Sequence, residues 1–174
     1  MSIKVVGLDK VLKNLDKQTE AIKKKVDVEM SEAANAIEER AKLLSPVDRG
    51  QIRSAIFADT DVPFVKRVVA PINHSPYIEF GTKRYFDANG RGSYAAQFKG
   101  KGGGTFEDFV KNMYDYLKRK GWPANVRGEA AKQNYAKFIA MKIAKNGIKP
   151  QPYFFRAYDE IIPTLIRKLQ SILK

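Results

Sequence analysis

Residues 8–44 read LDKVLKNLDKQTEAIKKKVDVEMSEAANAIEERAKLL, a long stretch with neither Gly nor Pro. Leu8, Leu12, Leu15, Ile22 and Val26 recur at helical spacing, and so do Met30, Ala33, Ile37, Ala41 and Leu44. Lys and Glu fill the opposite face, so the stretch reads as one or two long helices that each bury a single stripe. A joint is expected near Lys24–Asp27. Ser45-Pro46 stops the run, because the residue before a proline is pushed out of the α region. Ahead of it, Ile3-Lys4-Val5-Val6 suits a brief strand that Gly7 ends.

Past the stop the period changes. Asp48-Arg49-Gly50 is turn chemistry. Ile52, Ser54, Ile56 and Ala58 then alternate with Arg53, Ala55 and Phe57, which suits a strand. Val65, Arg67 and Val69 alternate in the same way after Asp59-Thr60-Asp61, so an antiparallel pair is the economical reading. Next, SPYIEFGTKR (75–84) brackets Glu79 with Tyr77 and Phe80, sets Pro76 ahead of them and Gly81 behind. Gly81 is expected to supply a backbone shape that other residues resist, and Glu79 to pair with a basic group such as Arg53.

Residues 85–147 differ in character and read as a helical insertion. DANGRGSYAAQFKGKGGG (87–104) is a basic, Gly-rich loop without periodicity. In FEDFVKNMYDYLKRKG the residues Phe106, Phe109, Val110, Met113, Tyr116 and Leu117 share a helix face, which Gly121-Trp122-Pro123 ends. In GEAAKQNYAKFIAMKIAKNG a second helix places Ala131, Tyr135, Phe138, Ile139, Lys142 and Ile143 in register, with Gly147 as its stop. The chain closes on KPQPYFFRAYDEIIPTLIRKLQSILK, where Phe155, Tyr158, Ile162, Leu165, Ile166, Leu169 and Leu173 line a final amphipathic helix. Pro163 lies inside that pattern and is expected to kink it or to begin its second part.

Composition narrows the function. The chain has 174 residues, 44% of them hydrophobic and 29% charged, which suits one domain with a real core, its insertion included. No run approaches the roughly 18 apolar residues of a membrane span, and the N-terminus turns charged too early for a secretory signal. With no Cys there are no disulfides, thiolate nucleophiles or Cys-based zinc sites. The net charge of +13 draws the protein toward polyanions or acidic protein surfaces, unless it only solvates helix faces.

Chemical constellations are weak. GKGGGT (100–105) lacks the spacing of a phosphate-binding loop and no apolar strand precedes it, although Arg91, Lys99 and Lys101 could contact DNA or an acidic partner. His74 is the only His, in a turn, without an Asp or nucleophile at triad spacing. Glu38-Glu39, Glu107-Asp108 and Asp159-Glu160 are carboxylate pairs on helices among Lys and Arg, where ion pairs explain them better than catalysis. Aromatics interleave with bases in YDYLKRKGW and NYAKFIAMKIAK, but at helical spacing, which favours core packing over base stacking. No catalytic residue, cofactor or metal site is expected, and the protein is read as not an enzyme.

Three segments in order, SPVDRGQIRSAI (45–56), SPYIEFGTKR (75–84) and KPQPYFFRAYDEI (149–161), resemble one family. It comprises the small neck or tail-completion proteins of long-tailed bacteriophages, similar to the lambda minor tail protein Z. The likeness covers residues 1–84 and 148–174. It implies an α+β fold in which long N-terminal and C-terminal amphipathic helices pack on a small antiparallel sheet. It also implies a virion protein, assembled in the bacterial host cytoplasm as a homo-oligomeric ring, a hexamer, at the head–tail junction. The expected partners are the tail tube or tail terminator protein, the head connector proteins and DNA in the channel. Aromatics and Arg anchor interfaces, so Tyr77, Glu79, Phe80, Gly81, Thr82, Tyr153, Phe154 and Arg156 are the candidate contacts. A free basic DNA-binding phage protein, for packaging or regulation, is the alternative that the charge permits.

Overall fold

The computed structural model describes residues 8–47, 50–99 and 104–172, with side chains described from residue 18 onward. Helix α1 spans Leu8–Leu44 and α2 Gln51–Ala55; strands β1 (Phe57–Asp59) and β2 (Arg67–Val69) follow. Then come α3 (Ser75–Phe80), a 3-10 turn (Lys83–Tyr85), α4 (Gly92–Ala96), α5 (Phe106–Lys120), α6 (Glu129–Asn146) and α7 (Phe154–Ile172). Helices dominate and one small sheet accompanies them, so the fold is α+β as expected. The expected strand at residues 3–6 and the turn at Asp48-Arg49 lie outside the described residues.

The chain packs as two compact units. The first combines α1, α2 from Ile52 on, β1, β2 and α7. Helix α1 runs unbroken through Lys24–Asp27, against the expected joint: nothing there withholds a backbone N–H or relaxes the helix. Its buried face is small, with Ala33, Ala34, Ile37 and Ala41 all under 9% exposed, and α7 lies along it with Ala157 fully buried. Small residues let the two backbones approach closely. Arg40 bonds Glu160 at 2.6 Å and Lys168 bonds Glu29 at 2.6 Å along the seam.

Helix α7 also continues through Pro163 as one helix. The proline removes only the N–H that would reach one turn back, and packing along α1 supports the rest. Tyr158 and Ile166 point outward at 41% and 48% exposure, which corrects the expected stripe to one centred on Ala157, Ile161 and Leu165.

The antiparallel pair exists, with Phe57 opposite Val69 and Asp59 opposite Arg67. It is shorter than expected, because residues 51–55 are a helical turn rather than a strand. Ile52 and Ile56 are both buried and the Ile56 N–H reaches the Ile52 carbonyl at 3.2 Å. Their four-residue spacing serves a helix as well as alternation serves a strand, and burial favoured the helix. Sheet and α1 are tied by Glu38, whose carboxylate accepts the Ala58 N–H at 2.6 Å.

The second unit holds α3 to α6. Helix α5 is capped by Thr105, whose hydroxyl accepts the Asp108 N–H, and it ends at Gly121. Helix α6 ends at Gly147 with φ +90 and an N–H bond to the Ile143 carbonyl, the stop the sequence suggests. The two helices pack together, but their inner faces are rotated from the expected ones. Phe109, Val110, Met113, Tyr114 and Leu117 turn inward on α5, while Phe106 and Tyr116 are exposed. On α6 the close approach is made by Ala136 and Ala140, both 0% exposed, and Phe138 stays outside at 54%. Helix α4 forms within the Gly-rich segment, and its Tyr94, with Phe98 just beyond it, packs on Phe80.

Candidate functional site

SPYIEFGT begins as a single helical turn. Pro76 sits in its first turn, where a missing N–H costs nothing. Gly81 then leaves the helix at φ +68. A Cβ at Gly81 would lie 2.8 Å from Ile148 O, Pro150 N and Tyr85 O, so only glycine lets these three backbones meet. Gly147 is equally constrained, against the Thr82 carbonyl.

That close approach stitches the second motif to the third. The Thr82 N–H reaches the Ile148 carbonyl at 2.9 Å and the Ile148 N–H returns to Thr82 Oγ1 at 2.8 Å. The Gln151 N–H reaches the Ile78 carbonyl at 2.8 Å, and the Tyr153 N–H reaches Glu79 Oε2 at 2.8 Å. The Tyr153 and Ser75 hydroxyls share a 2.5 Å hydrogen bond. Glu79, Ser75 and Tyr153 are all buried, and burial pushes the Tyr153 phenol above its ordinary value of 10. A buried carboxylate is tolerable only with partners such as these.

Beside the stitch, Phe80 is 1% exposed and packs on Phe86, Tyr94 and Phe98 at centroid distances of 6.3 to 6.5 Å. Burying such a side chain contributes about 2–3 kcal/mol. Around Tyr85 lies a group of cations. Arg84 donates to its hydroxyl and sits 4.6 Å from the ring centre, and Lys149 lies 5.8 Å away. The Arg84 hydrogen bond, with Lys149 and Lys142 near, draws the Tyr85 phenol below its usual range. Lys83 donates to the Ala144 carbonyl at the end of α6, where cations complement the helix dipole. Residues 83–149 carry fifteen Lys and Arg against five Asp and Glu, a net +10 of the chain's +13.

The structure brings Glu79, Phe80, Gly81, Thr82 and Tyr153 together, all within the second unit. Glu79, Phe80, Gly81 and Tyr153 are buried there; Tyr77 and Thr82 are half-buried. Phe154 and Arg156 begin α7 in the first unit, Phe154 edge-on to Phe155 at 5.8 Å and the exposed Arg156 paired with Glu160 at 3.1 Å. Arg91 is half-buried, Lys99 is exposed and 5.8 Å from the Phe86 ring centre, and Lys101 lies outside the described residues. Arg53 donates its Nε to the Lys42 carbonyl at 2.8 Å, whereas Glu79 takes the Tyr153 N–H. Sequence reasoning missed Ser75, Ile148 and the Tyr85 cations. Ser75-Pro76, which opens the second motif, was the available signal for Ser75.

Two carboxylate pairs resolve as ion-pair positions. Glu38 bonds Lys42 and Glu160 bonds Arg40 and Arg156, which hold both carboxyls below their usual range. Among the described residues no group of three or more His, Asp or Glu is placed to hold a metal. No described helix is long and apolar enough to cross a membrane.

Neither the curated proteins nor the solved structures gave a match to this chain. A protein-family model did: residues 9–81 match the HK97-gp10-like family, described as Bacteriophage HK97-gp10, putative tail-component. The matched span takes in α1, the hairpin and α3 through Gly81; it contains the first motif and most of the second, and is consistent with the neck and tail-completion resemblance, while the third motif lies outside it. The function class that this match supports is a bacteriophage tail component.

Proposed function

We propose that the protein is a structural part of the phage neck, a ring that completes the tail tube and joins it to the head connector. The family match over residues 9–81 carries this reading. The order of the three motifs supports it, and so does a chain whose acids serve as hydrogen-bond acceptors and ion-pair partners. The ring is a homo-oligomer, a hexamer, carried in the virion, and it takes part in no chemical step. Its basic segment, residues 83–149, faces an acidic neighbouring protein rather than gripping DNA, since a lumen that held DNA tightly would oppose its passage. Tyr77 and Arg156 supply contacts to neighbours, while Glu79, Gly81 and Tyr153 hold the shape that presents Tyr77.

Electron microscopy of the purified protein with and without isolated tail tubes tests this. Rings in solution, or rings seated on tube ends, are expected. Monomers that never bind a tube would remove the reading.

A further inference from the structure

Two segments far apart in sequence bring three cations to one phenol. Thr82 and Ile148 exchange hydrogen bonds at 2.9 and 2.8 Å, and the Tyr85 N–H reaches the Thr82 carbonyl at 3.1 Å. Arg84 and Tyr85 are thereby set beside Lys149, whose ammonium lies 5.8 Å from the Tyr85 ring centre. The Arg84 guanidinium is 4.6 Å from that centre and donates to the phenol oxygen. Lys83 donates to the Ala144 carbonyl and ties the turn to the end of α6, where Lys142 is the third cation near the phenol.

The acids of this basic segment are engaged elsewhere. Asp87 accepts the Asn89 N–H, Asp108 the Thr105 hydroxyl and Glu129 the Tyr114 hydroxyl. Asp115 acts on that same Tyr114, and Glu107 borders the α5–α6 cleft with Lys111 and Lys137. The charges that act on Tyr85 are Arg84, Lys149 and Lys142, and none of these described carboxylates is among them. The hydrogen bonds that join the two segments come from backbone groups and Thr82, not from those cations. The carbonyls at the end of α6 would oppose an anion, but Lys83 and the Gly147 N–H already occupy those of Ala144 and Ile143. Arg84, Lys142 and Lys149 are exposed and Tyr85 is half-buried, so donors face outward for an oxyanion to complete.

The surroundings favour a carboxylate over a phosphate. Phe138, Met141, Lys142 and Lys145 fall at i, i+3, i+4 and i+7 and share an outward face of α6. Phe138 and Met141 are 54% and 47% exposed, and Ile148 beside Lys149 is 36% exposed. The phosphate rows of a duplex offer little to such side chains. An acidic protein segment brings carboxylates and apolar groups together, and Met adapts readily to such partners.

We propose that Arg84, Tyr85, Lys142 and Lys149 form an oxyanion site for a carboxylate of an acidic segment on the neighbouring protein, with an apolar side chain of that segment laid on Phe138 and Met141. This names the contact that the basic segment makes in the reading above, and rests on that reading.

Fluorescence anisotropy with the full chain tests it, at physiological salt, where charges more than about 8 Å away are largely screened. Three labelled probes are compared: a short Glu-rich peptide carrying Leu, the same peptide with Gln for Glu, and a short DNA duplex. The Glu–Leu peptide should bind and its Gln counterpart should not. Lys142→Gln with Lys149→Gln should weaken peptide binding about tenfold at unchanged Tm. Lys111→Gln with Lys118→Gln, an equal loss of charge on α5, should change it by less than about twofold. Phe138→Ser with Met141→Ser should weaken the peptide and leave any duplex binding as it was. A Glu–Leu peptide that does not bind, two charge-loss pairs that weaken it equally, or a duplex that binds more tightly through Lys142 and Lys149 would each overturn the site. Wild-type rings on tube ends beside any of those results would leave the ring reading standing. A wild-type chain that binds the peptide here but neither forms rings nor seats on tubes would remove the ring and keep the site.

Discussion

The first unit is held by a long seam of mostly small side chains, Ala33, Ala34 and Ala41 with Ile37 on α1 along Ala157 on α7, with ion pairs at its edges. The second depends instead on two segments separated by the whole stretch between Thr82 and Gly147, joined by backbone bonds and one buried carboxylate, with an aromatic cluster around Phe80 beside them. The seam spreads its stability over many weak contacts, so single changes along it should be partly absorbed. The stitch concentrates it at a few atoms with no slack. The two should therefore fail differently, and the lone Trp122, packed on Tyr114 at 5.1 Å, gives the second unit its own optical signal.

The largest effect should come from Gly81→Ala. The new methyl meets three backbone atoms at 2.8 Å and the residue must still hold φ +68, so a loss of about 3 kcal/mol or more is expected. Denaturant melts should show the Trp122 transition moving early while a helical circular-dichroism transition survives. If both move together, the contrast between the units is wrong. Glu79→Ala removes the acceptor of the buried Tyr153 N–H and should cost about 2–3 kcal/mol on the same fluorescence readout. Full retention of folding and assembly in that variant would deny Glu79 a structural role.

Ala157→Leu probes the other side of the comparison. The site is fully buried against α1, and overpacking should cost about 1–3 kcal/mol in the circular-dichroism transition, with Trp122 little changed. Tyr153→Phe comes next, at about 1 kcal/mol, since it strips Ser75 of a buried partner but keeps the ring.

The smallest effects are in pH, and they run in opposite directions. Asp27, Glu38 and Glu160 have carboxyls held below their ordinary values of 3.8 to 4.5 by hydrogen bonds to Phe64 and Lys66, Lys42, and Arg40 and Arg156. Their stabilisation is present above those values and is lost as pH falls through the lower folded ones. Tyr153 is raised above 10 by burial, so its contribution is present below pH 10 and is lost as pH climbs past that value. Acid should thus weaken the first unit first and alkali the second, as hydrogen exchange at the two extremes would report.

Much of this molecule was legible in its sequence. α1, α5, α6 and α7 follow from apolar periodicity, and Gly121 and Gly147 mark two of their ends. Ile52 to Ala55 was not, because Ile52 and Ile56 satisfy a strand and a helical turn alike and only tertiary burial chooses. The inner face of α6 was misread for a related reason: Phe138 is the larger apolar group, yet Ala136 and Ala140 make the close approach. In the candidate site each motif could be read singly, but not their union. The bonds that join Ile78 to Gln151 and Thr82 to Ile148 are largely between backbones, and such bonds leave no side-chain pattern at either end.

The most direct test of the central claim is complementation. Phage extracts that lack this protein, with heads and tail tubes otherwise complete, receive the purified chain, and infectious particles are counted. The account predicts that the wild-type chain restores joined, infectious virions and that Gly81→Ala does not. Heads and tails that join equally well without the chain would contradict it.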